Sequence, residues 1–161
     1  MAKFNADSFL NQTVEKVLDT KRIPMPEGDH DELVVKDLAV TSGTGKESGN
    51  LWVRLKAKLV CTDPNIKAEM KLTGDAEPTV YWEEFINIDE DGNLDTSDGQ
   101  NIKLGKLRQA CGQNSSEEWS INDLKGAVLG ARIKWAFNGD GDPYAVVSSV
   151  YNPAGDESEE D

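Results

Sequence analysis

One segment of the chain alternates strictly between apolar and polar side chains, and this alternation constrains the fold more than any other feature. From Leu51 to Leu59 every second residue is apolar. The residues between them are Trp52, Arg54, Lys56 and Lys58. Successive side chains of a β-strand point to opposite faces, so the segment is predicted to be a strand with one buried and one exposed face.

The rest of the chain completes a mainly β pattern. Apolar-rich stretches bounded by turn residues predict four further strands. These stretches are residues 32–41, 79–88, 127–137 and 144–151. Helical spacing predicts a short N-terminal helix over 6–18 and a second helix over 102–111. Three strands, a helix and a closing two-stranded hairpin are the element order of a five-stranded OB-type barrel, with the helix between strands 3 and 4.

Length and charge indicate one core and one tail. A chain of 161 residues suits a single ordinary domain, which we place at 23–153 as an OB-like β-barrel after an N-terminal helical segment at 1–22. The net charge is −13, and five acidic residues in the last six leave about −8 for the rest after subtraction. The tail, 154–161, has too little apolar surface to offset its ordering entropy and is predicted to be disordered.

Several classes of protein are disfavoured. Cys61 and Cys111 stand far apart without a Cys/His cluster, so no metal or other cofactor is expected. No stretch is long and apolar enough for a signal peptide or membrane span, so we expect a cytoplasmic protein, in the host cytoplasm if viral, that makes no membrane contact. The lone His30 lies in an acidic turn without a nucleophile motif and is expected to be an ordinary exposed histidine rather than a catalytic base. An enzyme is therefore not expected.

The exposed face of the alternating strand has the composition of a binding surface for single-stranded nucleic acid. An aromatic ring stacks on unpaired bases while lysine and arginine neutralise phosphates. On this hypothesis Trp52 stacks a base, and Arg54, Lys56 and Lys58 follow the phosphates. The alternative is an ordinary solvated strand face, and the strand itself does not decide between them.

Two further features favour binding. Arg132 and Lys134 share one face of the fourth strand, and in a closed barrel they are predicted to form a second basic stripe near the first. Lys46 lies in the glycine-rich loop between the first two strands, where OB barrels hold oligonucleotides. The large aromatics Trp135 and Phe85 are expected in the core, because such side chains are usually well buried.

The acidic tail has two interpretations. It is either a solubilising terminus or a tethered polyanion that competes with nucleic acid and presents charge to basic partner proteins. The residues concerned are Asp156, Glu157, Glu159, Glu160 and Asp161.

Short motifs of the chain resemble those of small phage-encoded OB-fold single-stranded-DNA-binding proteins. That family has a helix of the form LxxLxxAxG, followed by a strand opened by a leucine and a glycine, and an asparagine-proline exit from the last strand. The matching residues are Leu104, Leu107, Ala110, Gly112, Leu124, Gly126, Asn152 and Pro153. The family's PeGxY entry is similar to Pro26-Glu27-Gly28, although His30 stands where an aromatic is usual, and the tail ends in Asp161 without a terminal phenylalanine.

The resemblance implies sequence-nonspecific binding of single-stranded DNA during phage DNA replication, recombination or repair, with replication or recombination proteins recruited by the tail. A homo-oligomer is compatible with the sequence. The −13 charge supports a different class of function, an acidic interaction module that mimics nucleic acid or inhibits a host protein. A virion structural component is a third alternative, to which no residue specifically points.

Overall fold

The computed structural model describes residues 3–115 and 117–155. These residues form a mainly β structure with a five-stranded antiparallel open sheet and three short α-helices. The strands are β1 (Gly28–Thr44), β2 (Leu51–Cys61), β3 (Thr79–Ile86), β4 (Val128–Phe137) and β5 (Pro143–Tyr151). The helices are α1 (Ala6–Leu10), α2 (Pro64–Glu69) and α3 (Ile102–Ala110), and a 3₁₀ turn spans Ile121–Leu124.

The strands lie in the order β3-β2-β1-β4-β5. The long strand β1 is central: its first part pairs with β4 and its later part with β2. Irregularities at His30/Leu33 and Val35/Asp37 interrupt these two ladders, and such bulges bend a strand and increase its twist. The bent β1 therefore belongs to two differently oriented halves of the sheet.

The two edge strands, β3 and β5, curl toward each other. Because every pairing is antiparallel, β3 and β5 run in the same direction, and some of their Cα atoms approach within 8 Å. In the described part of the chain no ladder joins them. Helix α3 contacts both edge strands and buries Leu104 and Leu107 in the same core cluster as Leu33 and Leu59.

The asparagine before α3 fixes the helix to the end of β3. The Asn101 side-chain oxygen accepts a hydrogen bond from the Asn87 backbone N–H (2.9 Å), and its amide donates to the Asn87 carbonyl (2.9 Å). Asn101 itself has φ 53°, a left-handed conformation that asparagine tolerates better than most residues. This exchange of hydrogen bonds sets the position of α3 against the sheet edge.

The N-terminal helix is shorter than its apolar spacing predicts. Helical structure ends at Leu10 instead of continuing to Leu18. Isolated helices of this length are marginal in water, and none of the residues of this one is buried, since Phe9 contacts only the exposed Phe4 ring just before the helix among the ring contacts described. The prediction of a helix over 6–18 was therefore wrong beyond its first turn.

Three other expectations need correction. The first strand begins at Gly28 and continues through Ser42 and Gly43, which were expected to be loop. The segment between β2 and β3, for which neither predicted helix accounts, contains α2, whose start carries a cap from Asp63 and a proline in its first turn. His30 was expected to be exposed, and that prediction was wrong, since it is 8% exposed and its Nε2 donates a hydrogen bond to the Pro26 carbonyl at 2.6 Å.

In the residues the structure describes, no helix has the length and apolarity needed to span a membrane.

Candidate nucleic-acid interface

The outer side of β2 and β3 gathers most of the side chains that the sequence marks for binding. The register pairs Arg54 with Phe85, Lys56 with Glu83 and Lys58 with Tyr81, and directly paired residues share a face. The opposite face of β2 buries Leu55, Ala57 and Leu59, which confirms the predicted faces in this part of the strand, whereas Leu51 at its start is 56% exposed. We call the outer side the aromatic–basic face: Trp52, Arg54, Lys56, Lys58, Tyr81, Glu83 and Phe85.

Two aromatic rings form one end of this face. Trp52 and Phe85 meet edge to face, with ring centroids 6.1 Å apart and an interplanar angle of 88°. Trp52 remains 39% exposed and Phe85 62% exposed. Phe85 was expected in the core, and that prediction was wrong, because β3 turns Trp82 inward and Phe85 outward. The two rings provide an accessible apolar surface beside the cations.

A glycine holds the Trp52 ring in place. Gly43 lies opposite Trp52 in the β1–β2 ladder, and a Cβ built on Gly43 would approach the indole to 2.6 Å. The ring therefore lies against the bare backbone of β1, where any larger residue would displace it. Gly43 on one side and Phe85 on another hold the indole in this orientation before any ligand binds.

One carboxylate organises the cations in the middle of the face. Glu83 forms ion pairs with Arg54 and with Lys56, the latter at 3.2 Å. The Lys56 ammonium also lies 4.3 Å from the centroid of the Tyr81 ring, a cation–π contact. Glu83 thus orders two cations and cancels part of their charge.

Lys58 and Lys46 are two further exposed cations of this region. Lys58 sits opposite Asp37, but the Asp37 carboxylate accepts a hydrogen bond from the Leu38 backbone N–H and pairs with Lys125 at 3.6 Å. Lys46 is exposed in the loop that joins β1 to β2, at the Trp52 end of the face. Neither lysine has an ion-pair partner among the residues described.

The second predicted basic stripe does not join the first. Arg132 pairs with Asp29 at the start of β1, whereas Lys58 pairs with Asp37, eight residues further along. At about 3.3 Å per residue the two positions are separated by up to about 26 Å along β1. The register does not place Arg132 and Lys134 beside Arg54, Lys56 and Lys58, because β4 pairs with the first residues of β1 whereas these residues of β2 pair with residues 37–41.

Arg132 is also neutralised where it lies. Its Nε donates to one Asp29 carboxylate oxygen at 2.8 Å, and its Nη2 donates to the other at 3.3 Å. This hydrogen-bonded guanidinium lowers the pKa of Asp29, and the carboxylate raises the pKa of Arg132. Next to this pair, Tyr151 lies over Gly130 and donates a hydrogen bond to Asp31.

We call this region the aspartate-paired face: Asp29, Asp31, Arg132, Lys134 and Tyr151. Lys134 is exposed at its edge and has no ion-pair partner within the described ranges. Burial, followed by the bond to Asp31, raises the pKa of Tyr151 well above its ordinary value. Apart from Lys134, the charged and strongly polar groups of this face are paired within the chain, Asp29 with Arg132 and Asp31 with Tyr151.

The large aromatic of β4 has a structural role. Trp135 donates its indole N–H to the Met25 carbonyl at 2.8 Å, and its backbone N–H bonds to the Glu27 carboxylate at 3.0 Å. Trp135 is 36% exposed, so the prediction that it lies in the core was wrong, and its two hydrogen bonds hold it against the segment before β1 instead.

A groove of about 1290 Å³ continues from the aromatic–basic face. It follows the seam between β3 and β5, and Lys58 and Tyr81 line it as well as belonging to the face. Lys103 and Lys106 of α3 add positive charge to its wall, although Lys103 is paired with Glu84 at 3.1 Å. The aromatic–basic face is therefore continuous with this groove at Lys58 and Tyr81.

Sequence reasoning missed three members of the face. Tyr81, Glu83 and Phe85 alternate with Val80, Trp82 and Ile86, and this alternation is the signal that could have found them. The acidic tail residues predicted to bind partners, 156–161, lie outside the described residues.

No family model, curated protein or solved structure matches the chain. The geometry of the aromatic–basic face is therefore the main guide to function.

Proposed function

We propose that the chain binds single-stranded DNA without sequence preference, through the aromatic–basic face, in phage DNA replication, recombination or repair. The observation that carries the proposal is the preorganised pair Trp52 and Phe85 beside Arg54, Lys56 and Lys58. Exposed rings next to cations suit unpaired bases, because every base has a face that can stack and every nucleotide carries a phosphate.

The fold supports the same proposal. A sheet in the order β3-β2-β1-β4-β5 with converging edges, and a helix between β3 and β4 that contacts both edges, is compatible with an OB-type barrel. OB barrels bind oligonucleotides on the face of strands 2 and 3 and on the neighbouring loops. In this chain those elements carry the aromatic–basic face and Lys46.

Unpaired strands fit this face better than duplex. The bases of a duplex are stacked on one another, so Trp52 and Phe85 could reach them only if the duplex opened. The net charge of −13 also weakens long-range attraction to any polyanion, which leaves local stacking as a larger share of the binding energy. The choice of DNA over RNA rests on the resemblance of the short motifs to the phage family.

The proposal is tested by following tryptophan fluorescence while the protein is titrated with a poly-pyrimidine single strand at low and moderate salt. We expect quenching that weakens with salt and that a duplex competitor does not reverse. Absence of any change at low salt would contradict the proposal and favour the acidic interaction module. A pull-down of basic proteins from lysate, with nuclease present, would then test that alternative.

A further inference from the structure

The groove between β3 and β5 has two ends, and helix α3 lies across one of them. Before the helix, the Asn101 side chain exchanges hydrogen bonds with Asn87, which follows β3. After the helix, a Cβ built on Gly112 would lie 3.6 Å from the Nδ2 of Asn152, which follows β5. Because β3 and β5 run in the same direction, their first residues lie at the end of the groove away from α3.

Two tyrosines, one from each edge strand, line the groove toward that end. Tyr81 is near the start of β3 and Tyr144 is near the start of β5, and they are 45% and 49% exposed. Tyr81 stands between the buried Val80 and Trp82. Tyr144 precedes Ala145, which packs against the core. Since neighbouring residues of a strand point to opposite faces, both rings lie on the outer side of the sheet, where a base can reach them.

Two cations line the same end of the groove. Lys58 is paired with the first of these tyrosines in the β2–β3 ladder. Arg22 is exposed and belongs to the segment 22–25, which also lines the groove. Met25 accepts a hydrogen bond from Trp135, whose partner in β5 is Ala145, so this segment is held near the start of β5. We call this end of the groove the seam mouth: Arg22, Lys58, Tyr81 and Tyr144.

We propose that a single strand bound on the aromatic–basic face continues into the seam mouth, where Tyr144 stacks one further base and Arg22 holds one further phosphate. This inference rests on the proposed function and extends its site. Lys58 and Tyr81 belong to both surfaces, so a strand that follows β2 from Trp52 to Lys58 arrives at the mouth.

The dimensions of the groove suit one unpaired strand. Residues 143–152 line it, which corresponds to about 30 Å at about 3.3 Å per residue. A volume of about 1290 Å³ over that length gives a mean width of about 7 Å. A duplex, whose major groove alone is about 12 Å wide, is broader than this. The groove therefore has room for nucleotides of a single strand but not for a duplex.

The charges of the groove favour a nucleic acid over an extended peptide as the occupant. Of the three carboxylates that line it, Glu83 and Glu84 are already paired with cations of the same chain. Glu77 is the third, and it faces the two cations of the mouth, neither of which has an ion-pair partner among residues 3–115 and 117–155. Exposed rings beside available cations repeat the composition of the aromatic–basic face, and this composition suits bases and phosphates.

Oligonucleotides of two lengths test the proposal. Trp52 and Lys58 are about 20 Å apart along β2, a distance that about six stacked nucleotides span. Affinity is therefore measured by fluorescence anisotropy for labelled oligothymidylates of 6 and 12 nucleotides. Tyr144→Ala should bind the 12-mer at least about fivefold more weakly than the unmodified protein does, and the 6-mer equally well. Tyr144→Phe keeps the ring and should bind both lengths as the unmodified protein does.

Salt dependence tests the phosphate contact at the mouth. Arg22→Ala should lower the slope of log affinity against log salt by about 0.7 for the 12-mer and leave the slope for the 6-mer unchanged. Lys106→Ala is the matched control, because it removes an exposed cation from the wall of the same groove on α3. Both slopes should stay unchanged in this variant.

Unchanged 12-mer binding in either Tyr144→Ala or Arg22→Ala would overturn the proposal and favour an extended peptide, added at a free strand edge, as the occupant of the groove. Equal losses for the two lengths would overturn it as well, because the mouth would then not follow the face. A slope change in Lys106→Ala instead of Arg22→Ala would place the strand at α3. In these three outcomes the unmodified protein still binds DNA, whereas failure of the unmodified protein to bind either length would contradict the proposed function itself.

Discussion

Two regions of one sheet carry exposed cations, and they differ in what surrounds those cations. On the aromatic–basic face, Trp52 and Phe85 leave ring surface open, and Lys58 has no ion-pair partner in the described structure. On the aspartate-paired face, Asp29 holds Arg132 through two hydrogen bonds, and Asp31 holds Tyr151. Exposure of a cation therefore does not by itself make a binding surface, because a carboxylate from the same chain can already satisfy it.

The comparison also shows two uses of a glycine opposite an aromatic. Gly43 lies under Trp52 and Gly130 lies under Tyr151, and in both places a Cβ would collide with the ring. The Trp52 ring stays available on one side, whereas the Tyr151 hydroxyl is occupied by Asp31. Packing against a glycine thus leaves the Trp52 ring accessible, whereas it holds the Tyr151 ring within the fold.

The largest expected effect comes from removing the stacking ring. Trp52→Ala should weaken binding of a poly-pyrimidine strand by about 1–3 kcal/mol, or roughly 5- to 150-fold, because base stacking is lost. Fluorescence anisotropy of a labelled oligonucleotide measures the change. Tyr151→Phe on the other face serves as control and should bind as the unmodified protein does. Equal losses of affinity in both variants would show that the two faces do not differ in oligonucleotide binding.

Displacing the same ring should produce a smaller loss. Gly43→Ala keeps every side chain of the aromatic–basic face but forces the Trp52 indole away from β1. We expect weaker oligonucleotide binding together with a shifted Trp52 emission. Gly105→Ala, in a helix with open space around the new methyl, is the control and should leave binding unchanged. Unchanged affinity in Gly43→Ala would mean that the ring orientation is irrelevant to binding.

Removing the central carboxylate should strengthen binding. Glu83→Gln frees Arg54 and Lys56 and removes one negative charge from the phosphate path. A charge at about 4 Å in water is worth about 1 kcal/mol, so affinity should rise about fivefold at low salt. Asp29→Asn frees Arg132 on the other face and should leave affinity nearly unchanged. If Asp29→Asn raised affinity as much as Glu83→Gln, phosphates would be reaching both faces.

Single lysines offer a finer test through salt dependence. Lys58→Ala should reduce the slope of log affinity against log salt by about 0.7, the value for one phosphate contact on a single strand. Lys134→Ala removes another exposed lysine, on the aspartate-paired face, and should leave the slope as it is. Filter binding at four or five salt concentrations gives both slopes, and a reversed outcome would assign the contact to β4.

The smallest effect concerns stability rather than binding. The folded state raises the pKa of Tyr151, so the neutral form is favoured there relative to the unfolded chain. This contribution is complete below the unfolded tyrosine pKa of about 10 and is lost as pH rises above it. Urea unfolding between pH 8 and 11 should therefore show a steeper alkaline loss of stability in the unmodified protein than in Tyr151→Phe. Identical pH dependence of stability in the two proteins would mean that Tyr151 does not contribute to the alkaline loss of stability.

Local sequence pattern predicted the strands well because their residues carry the period of a pleated sheet. The alternation in β2 indicated which side chains are exposed, and the hairpin turn before β5 located the last two strands. The element order also fits the open sheet that forms. In contrast, the apolar spacing of residues 6–18 overpredicted a helix, since spacing describes a face but not whether anything covers it.

The parts that sequence could not predict depend on contacts between distant residues. Asp29 and Arg132 are 103 positions apart, and nothing in either segment indicates that one neutralises the other. Phe85 joins Trp52 only because the β2–β3 register places it beside Arg54. The separation of the two basic groups likewise follows from how β1 divides its pairing between β4 and β2.

The most direct test of the central claim uses the four tryptophans as position markers. In a ¹H–¹⁵N spectrum each indole N–H gives one signal, assignable through single Trp→Phe variants. Upon addition of a poly-pyrimidine strand, we predict that the Trp52 signal shifts strongly while those of Trp82, Trp119 and Trp135 move little. A dominant shift at Trp135 with Trp52 unchanged would contradict the assignment of binding to the aromatic–basic face.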